Sequence, residues 1–213
     1  MGLFWQGWWS ARSVVVVEVN GYTIEPEVDL ARADLRWADL READLRGANF
    51  SYANLDGARL DGALLEGAKF FLTRACGAQF RGAHLRRANL EAVDFRWVNL
   101  EDADLPEATI DPANVPSGAW VLPKFQCANL LRANLRGAIS RTARLEGANL
   151  RLADLTNAVL TGANLHGVIL TGANLSGVKF NAAYADEFTT WPEGFDPAAA
   201  MVTFSTRNWP DAY

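Results

Sequence analysis

A five-residue phase of large apolar positions runs unbroken from Leu30 to Phe180, with a small residue two places before most of them. Ala33-Asp34-Leu35, Ala38-Asp39-Leu40 and Ala48-Asn49-Phe50 open a series that continues to Ala173-Asn174-Leu175. The period matches neither the 3.6 of an α-helix nor the 2.0 of a plain strand. From Leu30 to Ala185 there are 32 such positions, of which 20 are Leu and 6 are Phe, and Ala stands two before in 24. A short fixed repeat over most of a chain predicts a solenoid.

Residues two apart in an extended segment point to the same side. Each pentad therefore turns its Ala and Leu inward and its Asp or Asn outward, leaving two residues for a corner. Gly often holds the second corner place, as at Gly47, Gly57, Gly62, Gly67 and Gly77. A type II turn needs φ > 0 there, which Gly adopts without steric cost. Corners without Gly, such as Arg32, Trp37, Ala92 and Asp102, are expected to use another turn type. Ala at the second inward place keeps the bore from being overfilled.

These residues resemble the pentapeptide-repeat family, whose motif is A(D/N)LXX, over about residues 28–185. The resemblance implies an all-β fold, a right-handed quadrilateral β-helix of about eight coils with four pentads each. At a 20-residue coil, one outer column reads Arg41, Asp61, Arg81, Glu101, an alternation of charge. In the Qnr and MfpA branch, members mimic duplex DNA and protect type II topoisomerases, and a C-terminal element makes the dimer.

The repeat divides the chain into residues 1–27, 28–185 and 186–213. The first segment holds the apolar residues Phe4, Trp5, Trp8 and Trp9, then a Val14–Val17 run read as a strand. The last holds Trp191-Pro192-Glu193-Gly194-Phe195-Asp196-Pro197 and three alanines, read as a short helix with Asp196 as N-cap. Both are expected to cap the open coil ends, with Phe4, Trp5, Trp8, Trp9, Trp191 and Phe195 also candidates for a homodimer contact. The middle departs too. Four prolines lie between Pro106 and Pro123, and Trp120 is too large for the bore, so a loop is expected over 116–125. Its span is a multiple of five, so it either replaces two sides or inserts between them.

Charge and chemistry narrow the function. Residues 27–111 hold 16 acids and 11 bases, and residues 112–180 hold 2 acids and 7 bases. This asymmetry suggests a bipolar docking surface. The two histidines, His84 and His166, stand far apart and away from Cys76 and Cys127. No pattern for a nucleophile, metal or phosphate site is present, so no enzyme, cofactor or metal is expected. The two cysteines read as free thiols in a reducing cytoplasm. No apolar run is long enough to insert in a membrane. Candidate contact residues are the outward aromatics: Trp37 and Trp97 on one column, and Tyr52, Phe71 and Leu72 on the next, with Leu131 and Leu152 continuing it. Pro116, Trp120 and Lys124 of the loop join them. The expected function is a non-catalytic scaffold that binds a protein partner without contacting nucleic acid directly. The alternative is the DNA-mimicking protector of gyrase that the resemblance implies.

Overall fold

The computed structural model describes residues 17–114 and 119–204 of the 213-residue chain. Parallel bridges join Asp29 to Asn49, Asp34 to Asn54, Asp39 to Arg59 and Asp44 to Leu64, and so on upward. Each bridge spans 20 residues, so four pentads make one coil and the outward Asp or Asn of each pentad is its rung. Backbone bonds follow the same spacing: Leu35 N donates to the Asn54 carbonyl and Asn54 N to the Ala33 carbonyl, at 2.8 and 2.9 Å. The inward Leu, Phe and Ala form one continuous buried core. Six phenylalanines are among its largest fully buried side chains.

Apart from the hairpin insertion, the pentad corners from Arg32 to Ala182 use a left-handed backbone at their second place, with or without Gly. Arg32, Trp37, Ala92 and Asp102 have φ of 63°, 59°, 53° and 58°, beside 69° at Gly47. The expected second turn type is therefore not found. A non-Gly residue in this region costs on the order of 1 kcal/mol. The ladder enforces it, because the corner N–H must reach the next coil, as Trp37 N does to the Asp56 carbonyl at 3.1 Å.

The middle interruption is an insertion. Asp94 bridges Lys124, Asn99 bridges Asn129 and Asp104 bridges Asn134, each over 30 residues. The chain leaves the coil after Ile110 and resumes its rungs at Lys124. Between them β3 (Ala113–Asn114) and β4 (Trp120–Val121) pair antiparallel as a hairpin. Pro116 and Gly118 lie outside the described residues.

Before the first coil, β1 (Val17–Val19) and β2 (Tyr22–Ile24) form a hairpin whose turn, Asn20-Gly21, has φ of 52° and 82°. Two positive φ values suit the tight hairpin turn that matches strand twist. Val19, Tyr22 and Ile24 pack on the core. Phe4, Trp5, Trp8, Trp9 and the Val14–Val16 run lie outside the described residues. At the other end, β5 (Tyr184–Ala185) pairs parallel with β6 (Thr203–Phe204), adding one rung. Trp191 stacks on Phe195 at 5.2 Å, and both rings meet the buried Phe180 at 5.8 Å. The helix expected after Asp196 is a single turn. Asp196 accepts from Ala198 N and Ala199 N as an N-cap does, but Met201 has φ of 61° and ends the turn. The chain must reverse there to bury Val202 and form β6.

A candidate docking face

The second side of the coil, which bears Asp34, Asn54, Arg74 and Asp94, is edged by aromatic residues on both corners. The preceding corner carries Tyr52, whose ring meets Phe71 edge-on at 5.5 Å and lies under the Arg32 guanidinium at 5.6 Å. Leu72 stands half-buried beside them. The following corner carries Trp37 and Trp97 three coils apart, 78% and 56% exposed. The hairpin leaves the coil at the first of these corners and holds Trp120 at 66% exposure.

Both column tryptophans are backed on one side. A Cβ added at Gly57 would sit 2.2 Å from Cε3 and Cζ3 of Trp37, so the indole lies against the Gly57 backbone. The Arg96 guanidinium lies 5.5 Å from the Trp97 ring centroid. Arg96 is itself held by Asp94, Nε to Oδ1 at 2.8 Å. Each indole is thus seated, with much of its surface turned to solvent.

The charges between the aromatic edges are paired. Asp34 takes two bonds from Arg36, at 2.8 and 2.6 Å, and Asp56 takes one from Arg74 at 2.8 Å. Lys124 adds a looser contact to Asp94 at 3.6 Å. Burial pushes the Asp94 carboxyl up, but Arg96 and Lys124 outweigh it and hold it below its ordinary value. Burial, with Asp94 beside it, pushes the Cys76 thiol up to about 11, so it stays protonated at neutral pH. Cys76 and Cys127 are both free.

The Asp-Leu-Arg triplet recurs at Asp34, Asp39 and Asp44 as a bidentate pair. The guanidinium of Arg36 holds Asp34 down to about 2, and Arg41 does the same for Asp39. Arg46 lowers Asp44. These carboxylates are depressed in the folded state, so their contribution is present above the unfolded value near 4 and is lost as pH falls toward about 2. The chain is expected to lose stability on acidification mainly below about pH 4, read as urea midpoints. Asp34→Asn/Asp39→Asn/Asp44→Asn is expected to flatten that slope, and an unchanged slope would remove these pairs from the acid response.

Sequence reasoning placed Leu131 and Leu152 above Tyr52. The ten-residue insertion carries them to the corner after the third side, above Glu101 and Asp102. It also missed a polar column of Gln126, Glu146 and His166, all buried. Glu146 Oε1 accepts from Arg144 and Asn164, at 3.1 and 2.7 Å, and His166 packs edge-on against Tyr184. The spacing of 20 was the available signal, since all three residues follow the insertion. The bipolar charge pattern is bridged where its two halves meet. Arg132 binds Asp102 and Glu101 at 2.6 Å, and Arg141 binds Asp111 at 2.7 Å.

With this geometry in hand, comparison with known proteins is decisive for the family. A model of pentapeptide repeats matches residues 29–67, 68–109 and 141–181. The chain belongs to the pentapeptide-repeat family. No curated protein matches it. Among solved structures, a trypsin-treated variant of QnrB1, a plasmid-mediated fluoroquinolone resistance protein, is 16% identical with a TM-score of 0.51. That match covers 77% of this chain and 91% of QnrB1, and it supports the shared solenoid fold. The pentapeptide-repeat protein alr5209 from Nostoc PCC 7120 is 32% identical over 60% of this chain and 84% of its own, with a TM-score of 0.39. HetL, from the same cyanobacterium and involved in heterocyst differentiation regulation, is 27% identical over 80% and 88%, with a TM-score of 0.23. No helix among the described residues is long and apolar enough to cross a membrane.

Proposed function

We propose that this pentapeptide-repeat protein is a non-catalytic cytoplasmic scaffold whose second side docks a protein partner. The solenoid is taken as a right-handed coil of about eight turns, with the N-terminal hairpin and the Trp191–Phe195 stack closing its ends. The observation that carries the reading is the seating of Trp37 on Gly57, with Trp97 on the same column. Exposed tryptophans held by a rigid frame lose little side-chain entropy on binding, and Trp is enriched among residues that dominate interface energies. Tyr52, Phe71 and Trp120 add aromatic surface beside this column, and aromatic residues are enriched at protein interfaces. Affinity capture from a lysate tests it. Trp37→Ala/Trp97→Ala is expected to lose at least one partner retained by the parent chain, since each such residue contributes about 2 kcal/mol or more. An identical partner set would remove this column from the interface.

The gyrase-protector reading rests on the resemblance and on the acidic balance of residues 27–111. A DNA mimic needs repeated unneutralised negative charge. On the second side, Asp34, Asp56 and Asp94 are each held by an arginine. The purified chain is therefore expected to leave quinolone-inhibited gyrase unprotected in a supercoiling assay. Restored supercoiling at micromolar protein would favour the mimic instead.

A further inference from the structure

The corner after the third side carries a charge sequence that is complementary to its own reverse. Coil by coil it presents Glu42 with Arg41, then Asp61, then Arg81, then Glu101 with Asp102. Across the insertion it continues with Arg132 and Arg151. From this order we infer that the corner is an antiparallel, twofold-symmetric contact between two copies of this chain.

A twofold axis between the Arg81 and Glu101 coils places each coil of one copy against a specific coil of the other. Arg151 then faces Glu42, Arg132 faces Asp61, and Arg81 faces Glu101 and Asp102. Each contact occurs twice, as an isologous interface requires. A parallel arrangement in register would instead set Arg81 on Arg81 and Glu101 on Glu101. Like charges so opposed are costly, which selects the antiparallel copy.

The outer members, Glu42 and Arg151, are available for the contact, whereas Arg132 already holds Glu101 and Asp102 of its own chain at 2.6 Å and would share its charge with Asp61. Glu42 and Arg151 make no ion pair among the described residues, and the Asp61 carboxylate accepts the backbone N–H of Arg81 at 3.2 Å. Arg81 reaches Glu101 and Asp102 only at 3.8 Å, with its side chain 60% exposed. An open groove of about 520 Å³ is lined by Asp39, Arg41, Glu42, Asp61 and Gly62, with Arg41 neutralised by Asp39, and the opposed Arg151 would enter it beside Glu42 and Asp61. Leu152, 56% exposed, stands next to Arg151 and supplies an apolar contact at each end. This surface is separate from the tryptophan column, so the two readings stand or fall independently.

Sedimentation equilibrium of the full chain is the test. At about 20 mM salt the mass is expected to approach twice the 23.3 kDa of one chain, falling toward the monomer at about 500 mM salt, where screening is strong. Arg151→Glu and Glu42→Arg are each expected to weaken association at least tenfold, which is about 1.4 kcal/mol. Arg151→Glu/Glu42→Arg in one chain restores both pairs and is expected to recover the dimer. Thermal midpoints of the variants confirm that each remains folded. A monomer at every salt concentration overturns the inference. So does a dimer indifferent to salt and to these charge reversals, which would point to association through the coil ends.

Discussion

Phe70→Ala is expected to lower stability by about 3–5 kcal/mol, the largest effect of any single substitution considered. The ring is fully buried and stacks on Phe50 at 5.0 Å. It also meets Phe80 and Phe95 at 6.0 and 6.1 Å, and Phe95 in turn meets Phe125 at 5.4 Å. These residues come from three sides of the coil and from both sequence flanks of the hairpin insertion. Removing Phe70 therefore opens a cavity where the rings converge. Backbone ladders surround the bore, so the walls cannot close on the space. Because solenoid stability is a sum of local and nearest-neighbour terms, the loss weakens coupling between the lower and upper coils. Urea unfolding followed by circular dichroism is expected to show a lower midpoint and a broader transition. A change below about 1 kcal/mol would mean that the phenylalanine cluster is not the coupling element.

Gly57→Val is expected to cost about 2 kcal/mol or more, from two separable causes. Gly57 has φ of 67°, which a β-branched residue adopts poorly. Its added Cβ would also meet the Trp37 ring at 2.2 Å, so the indole must leave its seat. Gly77 on the same column separates the two. Its φ is 66°, and nothing lies within 4 Å of an added Cβ. Gly77→Val carries the backbone strain alone. Gly57→Val is expected to exceed it in lost stability and also to weaken partner capture. Equal costs, with capture unchanged, would mean that the seated indole contributes to neither stability nor binding.

The rungs of this fold were legible in the sequence because a five-residue period leaves one assignment of inward and outward places. Ala33 and Leu35 are buried and Asp34 bridges outward, as that alternation requires. Trp37 and Trp97 fell on one column because both precede the insertion. Leu131 and Leu152 follow it, and a ten-residue insertion preserves the five-residue phase while shifting the chain by two sides. Periodicity cannot register such a shift. Turn chemistry also misled at Arg32 and Trp37, where the ladder imposes a backbone that local preference resists. The short helix after Asp196 failed for a similar reason, since burying Val202 takes precedence over the helical tendency of three alanines. The Asp-Leu-Arg pairs could have been read in advance. Residues two apart on the outside of a rung are within reach of an arginine, and the triplet occurs at Asp34, Asp39, Asp44 and, with Phe95, at Asp94.

Within this account the regular pentads are frame, and the residues that break or decorate them carry the function. Hydroxyl-radical footprinting of the chain with its captured partner tests that claim directly. Oxidation of Trp37, Trp97 and Trp120 is expected to fall together on complex formation, while exposed Phe188, at the far end of the coil, stays unchanged. Protection of Phe188 with all three tryptophans still reactive would contradict the docking face.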